Sequence, residues 1–183
     1  MKRGAALALS FVLLACGDKP APSPKDPGWV KAAGGKRGAR SSFPCESWFP
    51  LVEGQLYQYA TRTGDGTPGI LGARVHRTSD TLGELRMPAG TRRFQYGPEG
   101  VQTLNKDGVW VFIFKLPVDP TLTWRGEHGG KARWDAGGLA VDVKAGHFEG
   151  CGRVLEERGG DRPQRFATTF CPDVGVVLLE ASQ

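Results

Sequence analysis

Apolar and polar positions in this chain form short runs, and nearly every run ends in Gly, Pro, Asn or Asp. No long segment keeps apolar residues at helical spacing, so no helix is expected. The pattern is that of an all-β meander. It predicts strands over residues 55–63, 70–77, 82–87, 92–96, 101–104, 109–115, 131–135, 139–143, 148–156, 164–170 and 174–180. Gly64-Asp65-Gly66, Pro88-Ala89-Gly90, Gly97-Pro98-Glu99-Gly100, Asn105-Lys106-Asp107-Gly108, Ala136-Gly137-Gly138 and Gly159-Gly160-Asp161 supply the turns between them.

Two strands break the usual alternation. Val109-Trp110-Val111-Phe112-Ile113-Phe114 is apolar throughout, and Val176-Val177-Leu178-Leu179 nearly so. Continuous apolarity means that both faces are covered. Either the sheet is the inner layer of a sandwich, or it curls and its second face lines a cavity. In the second case Tyr57, Tyr59, Trp110 and Phe112 are the candidate ligand-facing residues. Tyr57, Tyr59 and Thr61 share one face of the first strand.

Ahead of the strands lies a different pattern. Lys2 and Arg3 precede an apolar run from Ala5 to Ala15, which stops at Cys16. The run is too short for a bilayer-spanning helix, which needs about 20 apolar residues, and matches the apolar region of an export signal. Leu13-Leu14-Ala15-Cys16 resembles the lipobox of bacterial lipoproteins. That resemblance implies diacylation of Cys16 and cleavage before it, so residues 1–15 are the expected signal peptide. Residues 16–42 follow as a tether, opened by Pro20, Pro22, Pro24 and Pro27 and loosened by Gly34-Gly35 and Gly38. Residues 43–183 are the β-rich domain. The expected location is the bacterial cell envelope, anchored to a membrane through lipid on Cys16. Gly17, rather than aspartate, follows that cysteine, which points to the outer membrane, facing the periplasm.

Charge removes one class of partner. The chain has 24 Lys and Arg against 19 Asp and Glu, a formal charge of +5. Losing Lys2 and Arg3 leaves 22 against 19, or +3, which is mild and unlike a nucleic-acid binder. An oxidising compartment also lets disulfides persist. In a hairpin centred on Asp161, Cys151 and Cys171 stand opposite each other, so they are the expected pair. Cys45 is left over, either as a buried thiol or as an alternative partner.

Catalytic patterns are absent from the sequence. Ser47, Ser79 and Ser182 have no Gly-x-Ser-x-Gly setting. His76, His128 and His147 are not spaced as local metal ligands, and no cofactor or metal is expected. Glu156 and Glu157 should face opposite sides of a strand, as should Arg92 and Arg93, one of which could clamp a carboxylate in a pocket. Asp135 and Asp142 are expected in solvent. An enzyme would require one of the three histidines to meet a carboxylate or thiol in a cleft.

Four segments carry a wider resemblance. They are Phe49-Pro50-Leu51 with Gly54 to Tyr59, Lys115-Leu116-Pro117 with Leu122-Thr123-Trp124, Lys144 to Cys151, and Phe170-Cys171-Pro172-Asp173-Val174-Gly175-Val176-Val177. Together they resemble the TapB-like domains of bacterial secreted proteins and lipoproteins. Tyr57 stands where that pattern has Trp, and Asp173 where it has Gly. The resemblance implies a curved antiparallel sheet or incomplete barrel, like those of lipoprotein carriers, and no activity. The expected function is therefore a non-catalytic, membrane-anchored lipoprotein. It would bind a partner envelope protein or an apolar ligand in a concave β surface, or else serve as a structural accessory without a pocket.

Overall fold

The structure, a computed structural model, describes residues 42–64 and 66–183, together with the backbone of Leu9–Leu14. Cys16, the tether up to residue 41 and Asp65 of the first turn lie outside the described residues. Twelve antiparallel strands are described: β1 (Leu9–Leu14), β2 (Leu56–Arg62), β3 (Pro68–Arg77), β4 (Leu82–Met87), β5 (Gly90–Gly97), β6 (Gly100–Leu104), β7 (Trp110–Lys115), β8 (Thr123–Arg125), β9 (Lys131–Val143), β10 (Gly146–Arg158), β11 (Gln164–Cys171) and β12 (Gly175–Ser182). Their order in the sheet is β7-β6-β5-β4-β3-β2-β1-β12-β11-β10-β9-β8. The sheet is thus two meanders, β2 to β7 and β8 to β12, with β1 paired to both.

The sheet curls until its two edge strands approach. They are joined there by side chains. The indole N–H of Trp124 on β8 donates to the carbonyl of Phe112 on β7 at 3.1 Å. That of Trp134 on β9 donates to the carbonyl of Lys115 at 2.6 Å. Inside the curl, Phe114 of one meander meets Phe170 of the other with ring centroids 4.9 Å apart. Trp134 and Phe94 are also fully enclosed there. The expected curved, incomplete barrel is what the chain forms.

One end of the concave face is filled by the chain itself. Residues 43–54 enter the curl as a plug carrying α1 (Cys45–Trp48), a single helical turn where the sequence predicted no helix. Phe49 packs on Phe94 at 4.8 Å and on Phe170 at 6.4 Å, so it touches both meanders. Tyr96 donates to the Phe49 carbonyl at 2.6 Å. Glu46 of α1 pairs with Arg77 of β3 at 3.0 Å, with both side chains at least nine-tenths buried. The Arg77 guanidinium also donates to the carbonyls of Leu51, Ser79 and Asp80, and lies 4.5 Å over the Tyr96 ring.

Cys151 and Cys171 form the expected disulfide. The β10–β11 register puts Gly152 opposite Phe170, so the two cysteines follow as the next facing pair. Cys45 is a free thiol, fully buried, donating to the Gly97 carbonyl at 3.2 Å.

Two expectations need correction. Ala136-Gly137-Gly138 is not a hairpin turn. Residues 131–143 run through it as one strand, and the irregularity appears as register shifts against β10. Gly138 takes φ +67° there, a conformation open to glycine, so the strand absorbs the extra residue as a bulge. Asp135 is not in solvent. Arg153 and Arg133 grip it at 2.8 and 3.3 Å. Partial burial pushes its pKa up, but these bonds outweigh that and hold it below the ordinary value. Leu9–Leu14, inside the expected leader, is paired in the sheet as a strand in the unprocessed chain.

Truncating Glu46 to Ala would strand a buried Arg77 charge. Glu46→Ala should cost about 3–5 kcal/mol in urea unfolding. A loss below about 1 kcal/mol would mean the pair does not hold the plug. Replacing Cys151 and Cys171 together by Ala should cost about 3 kcal/mol in the same assay, the chain-entropy value for a loop of this size.

Candidate functional site

Beyond the plug, the curl is not filled. Between the inner faces of the two meanders lies a cavity of about 200 Å³, open at one side. Its walls are mainly apolar, with Phe49 at the plugged end and Tyr59, Leu85, Phe112, Val154 and Leu179 among the lining side chains. The volume somewhat exceeds the roughly 150 Å³ that admits a benzene ring in an engineered apolar cavity. The space therefore suits a ring or a short hydrocarbon segment. A whole diacyl lipid would require the walls to part.

The expected ligand-facing residues divide. Tyr59 and Phe112 line the cavity. Tyr59 is largely enclosed, which pushes its phenol pKa well up and keeps it neutral. Tyr57, two positions earlier on the same face, belongs to the plugged end, where its hydroxyl donates to the Pro50 carbonyl. Trp110 pairs with Leu104 at the start of β7 and does not reach the cavity. The register shift opposite Val101 and Gln102 disrupts alternation in β7, and the neighbours Phe112 and Ile113 both line the cavity.

A polar cluster sits in one wall. Its core is Glu156 on β10, whose side chain is 7 % exposed. Glu156 accepts the backbone N–H of His128 at 2.9 Å and that of Gly130 at 2.8 Å, and contacts His128 Nδ1 at 2.9 Å. It thereby clamps the β8–β9 turn onto the sheet. Gly126 makes the approach possible: a Cβ at that position would lie 2.3 Å from the Glu156 carboxyl carbon. The His128 ring stacks on Phe166, centroids 3.7 Å apart and nearly parallel. Glu127 faces His128 Nε2 at 3.4 Å and takes an ion pair from Arg92. Arg92 is thus the member of its pair that faces the cavity, while Arg93 is mostly exposed and pairs with Glu84.

The sequence did not bring these residues together. Arg92, Glu127, His128, Glu156 and Phe166 come from β5, the β8–β9 turn, β10 and β11. No local spacing links them. The sole legible signal was the opposite facing of Glu156 and Glu157, and Glu157 is indeed exposed.

The three histidines are not bare surface groups. His76 faces Glu53 at 3.4 Å, and His147 faces Asp142 at 2.8 Å. Only His128 meets its carboxylates at the cavity. Among the described residues, no group of three or more His, Cys, Asp or Glu is placed to hold a metal ion. No helix among them is long and apolar enough to cross a membrane.

Glu156→Ala leaves two buried backbone donors without an acceptor. It should cost about 2–3 kcal/mol of stability and speed amide exchange at His128 and Gly130, as read by hydrogen-exchange mass spectrometry. Glu156→Gln, which keeps an acceptor, should lose less. Family models, curated proteins and solved structures offer no match to this chain, so the reading of the site rests on its geometry.

Proposed function

We propose that this chain is a bacterial envelope lipoprotein, held by lipid on Cys16, that binds a small apolar group in its half-barrel without catalysing a reaction. The observation that carries the ligand is the cavity, which is apolar, partly enclosed and bounded by both meanders. Burying apolar surface there is favourable by roughly 25 cal/mol per Å². The wall polar groups are committed to one another and to backbone. They leave an apolar molecule, or the apolar end of a larger one, as the fitting occupant.

The anchor is carried by the run into Leu13-Leu14-Ala15-Cys16. Acylation at two sites gives stable membrane attachment, which one chain alone does not. The tether then keeps the domain near its membrane, for which the outer membrane facing the periplasm remains our assignment. The TapB-like resemblance belongs to this reading. Its Phe49-Pro50-Leu51 segment lies in the plug, and Phe170 to Val177 lies at the β11–β12 turn.

One observation favours a second reading, an enzyme. His128 does meet Glu156 and Glu127 beside a cavity, as an oriented base would. Against it, one oxygen of Glu156 accepts both backbone N–H groups of the turn, and both His128 ring nitrogens already face carboxylates.

The two-ring fluorescent dye 1-aminonaphthalene tests the cavity. It should bind the purified protein with a rise in fluorescence. Ala132→Phe on β9 and Thr168→Leu on β11, both at positions that line the cavity, should each weaken binding at least tenfold while far-ultraviolet circular dichroism stays native. Binding unchanged in both variants would overturn the ligand reading. His128→Gln should keep dye binding, and turnover of an ester dye that vanishes in that variant would establish the enzyme instead.

A further inference from the structure

The strand β1 occupies an unusual place. It is paired to β2 over Ser10 to Leu14, facing Arg62 to Gln58, and to β12 over Leu9 to Val12, facing Ala181 to Leu178. It is antiparallel to both neighbours, and among the described residues it alone links the two meanders through backbone pairing in the sheet. Yet residues 9–14 are the apolar run that cleavage before Cys16 would remove. This inference rests on that processing, and so on the reading above.

Processing would leave two facing edges. On β2 they carry Gln58-Tyr59-Ala60-Thr61-Arg62, and on β12 Leu178-Leu179-Glu180-Ala181. Exposed edges in stable sheets are usually blunted by proline, inward charges or bulges. Neither stretch contains Pro or Lys, each has a single charge near its end (Arg62 and Glu180), and their ladders to β1 run without a register shift. Tyr59 and Leu179, one from each edge, both line the cavity, so the seam between β2 and β12 adjoins it.

We infer that in the processed protein this seam is an acceptor for a strand donated by a partner envelope protein. The donor is an extended, proline-free, nearly all-apolar segment of about six residues, lying antiparallel to β2 and β12. The chain itself shows what the seam takes: Leu-Ser-Phe-Val-Leu-Leu, with backbone ladders on both sides. A strand central to a sheet and covered on both faces has this composition. Strand addition gives affinity through main-chain hydrogen bonds, and specificity through the alternate side chains.

The test uses full-length protein produced in a bacterial host and purified in detergent. Intact mass comes first. A retained leader overturns the processing step of the reading above, and the inference with it. With a mass showing cleavage before Cys16, hydrogen exchange is followed at residues 58–62 and 178–181. Those amides that point into the seam, rather than at β3 or β11, should exchange at least tenfold faster than the amides of β10 and β11. A synthetic peptide of residues 9–14 flanked by lysines should protect them, and the same peptide carrying Val12→Pro should not. A peptide with Phe11→Cys should form a disulfide with Thr61→Cys protein and not with Gly72→Cys protein. Seam-facing amides already protected without peptide, whether by direct pairing of β2 with β12 or by a second copy seen as a dimer in light scattering, would overturn the inference and leave the lipoprotein reading intact. Equal protection by the Val12→Pro peptide would also overturn it.

Discussion

The fold depends on burying charge correctly at one point. Arg77 reaches from β3 under the plug to Glu46, and its remaining donors satisfy three carbonyls of the surrounding loops. A guanidinium has five donors in a fixed fork, so it can staple a backbone loop and a carboxylate together. Once Glu46 is fixed, α1 is fixed, and Phe49 falls between Phe94 and Phe170. The two meanders then share one aromatic core. A curled sheet has no helical layer to cover its inner face. Here a twelve-residue stretch of irregular chain takes that part at one end only.

That asymmetry creates the site. Tyr57 and Tyr59 stack with centroids 6.1 Å apart on a single face of β2. The first is sealed by the plug and the second faces open space. The border between core and cavity therefore falls between two residues that look equivalent in sequence. The wall opposite is held by Glu156, whose buried carboxylate would be costly without its backbone donors and His128.

Much of this was legible because a strand writes itself locally. The predicted segments 82–87 and 101–104 match β4 and β6 to within a residue, and the hairpin centred on Asp161 gave the disulfide by register alone. Of the continuously apolar residues 109–114, Val111 and Phe114 are buried and Phe112 and Ile113 line the cavity, while Val109 is exposed. What failed were features set by distant partners. Gly137-Gly138 has the composition of a turn, but the long β9–β10 hairpin carries the strand through it as a bulge. Asp135 looked solvated until Arg153, eighteen positions away, was brought beside it. Trp110 and Phe112 are equally apolar, and only the curl decides which one meets the cavity. The helical turn at Cys45–Trp48 is too short to leave a periodic signal.

The buried thiol of Cys45 has a consequence for how the chain reaches this state. Cys45, Cys151 and Cys171 could form three different bridges among themselves, and a free thiolate can convert one into another by attack on sulfur. The Cys151–Cys171 bridge closes a short local hairpin, so it is within reach before distant parts of the sheet assemble. When the plug seats, Cys45 becomes fully enclosed, and desolvation raises its pKa despite the bond to Gly97. The third sulfur is then both hidden and protonated. A seated plug thus shields the Cys151–Cys171 bridge from attack by that thiol.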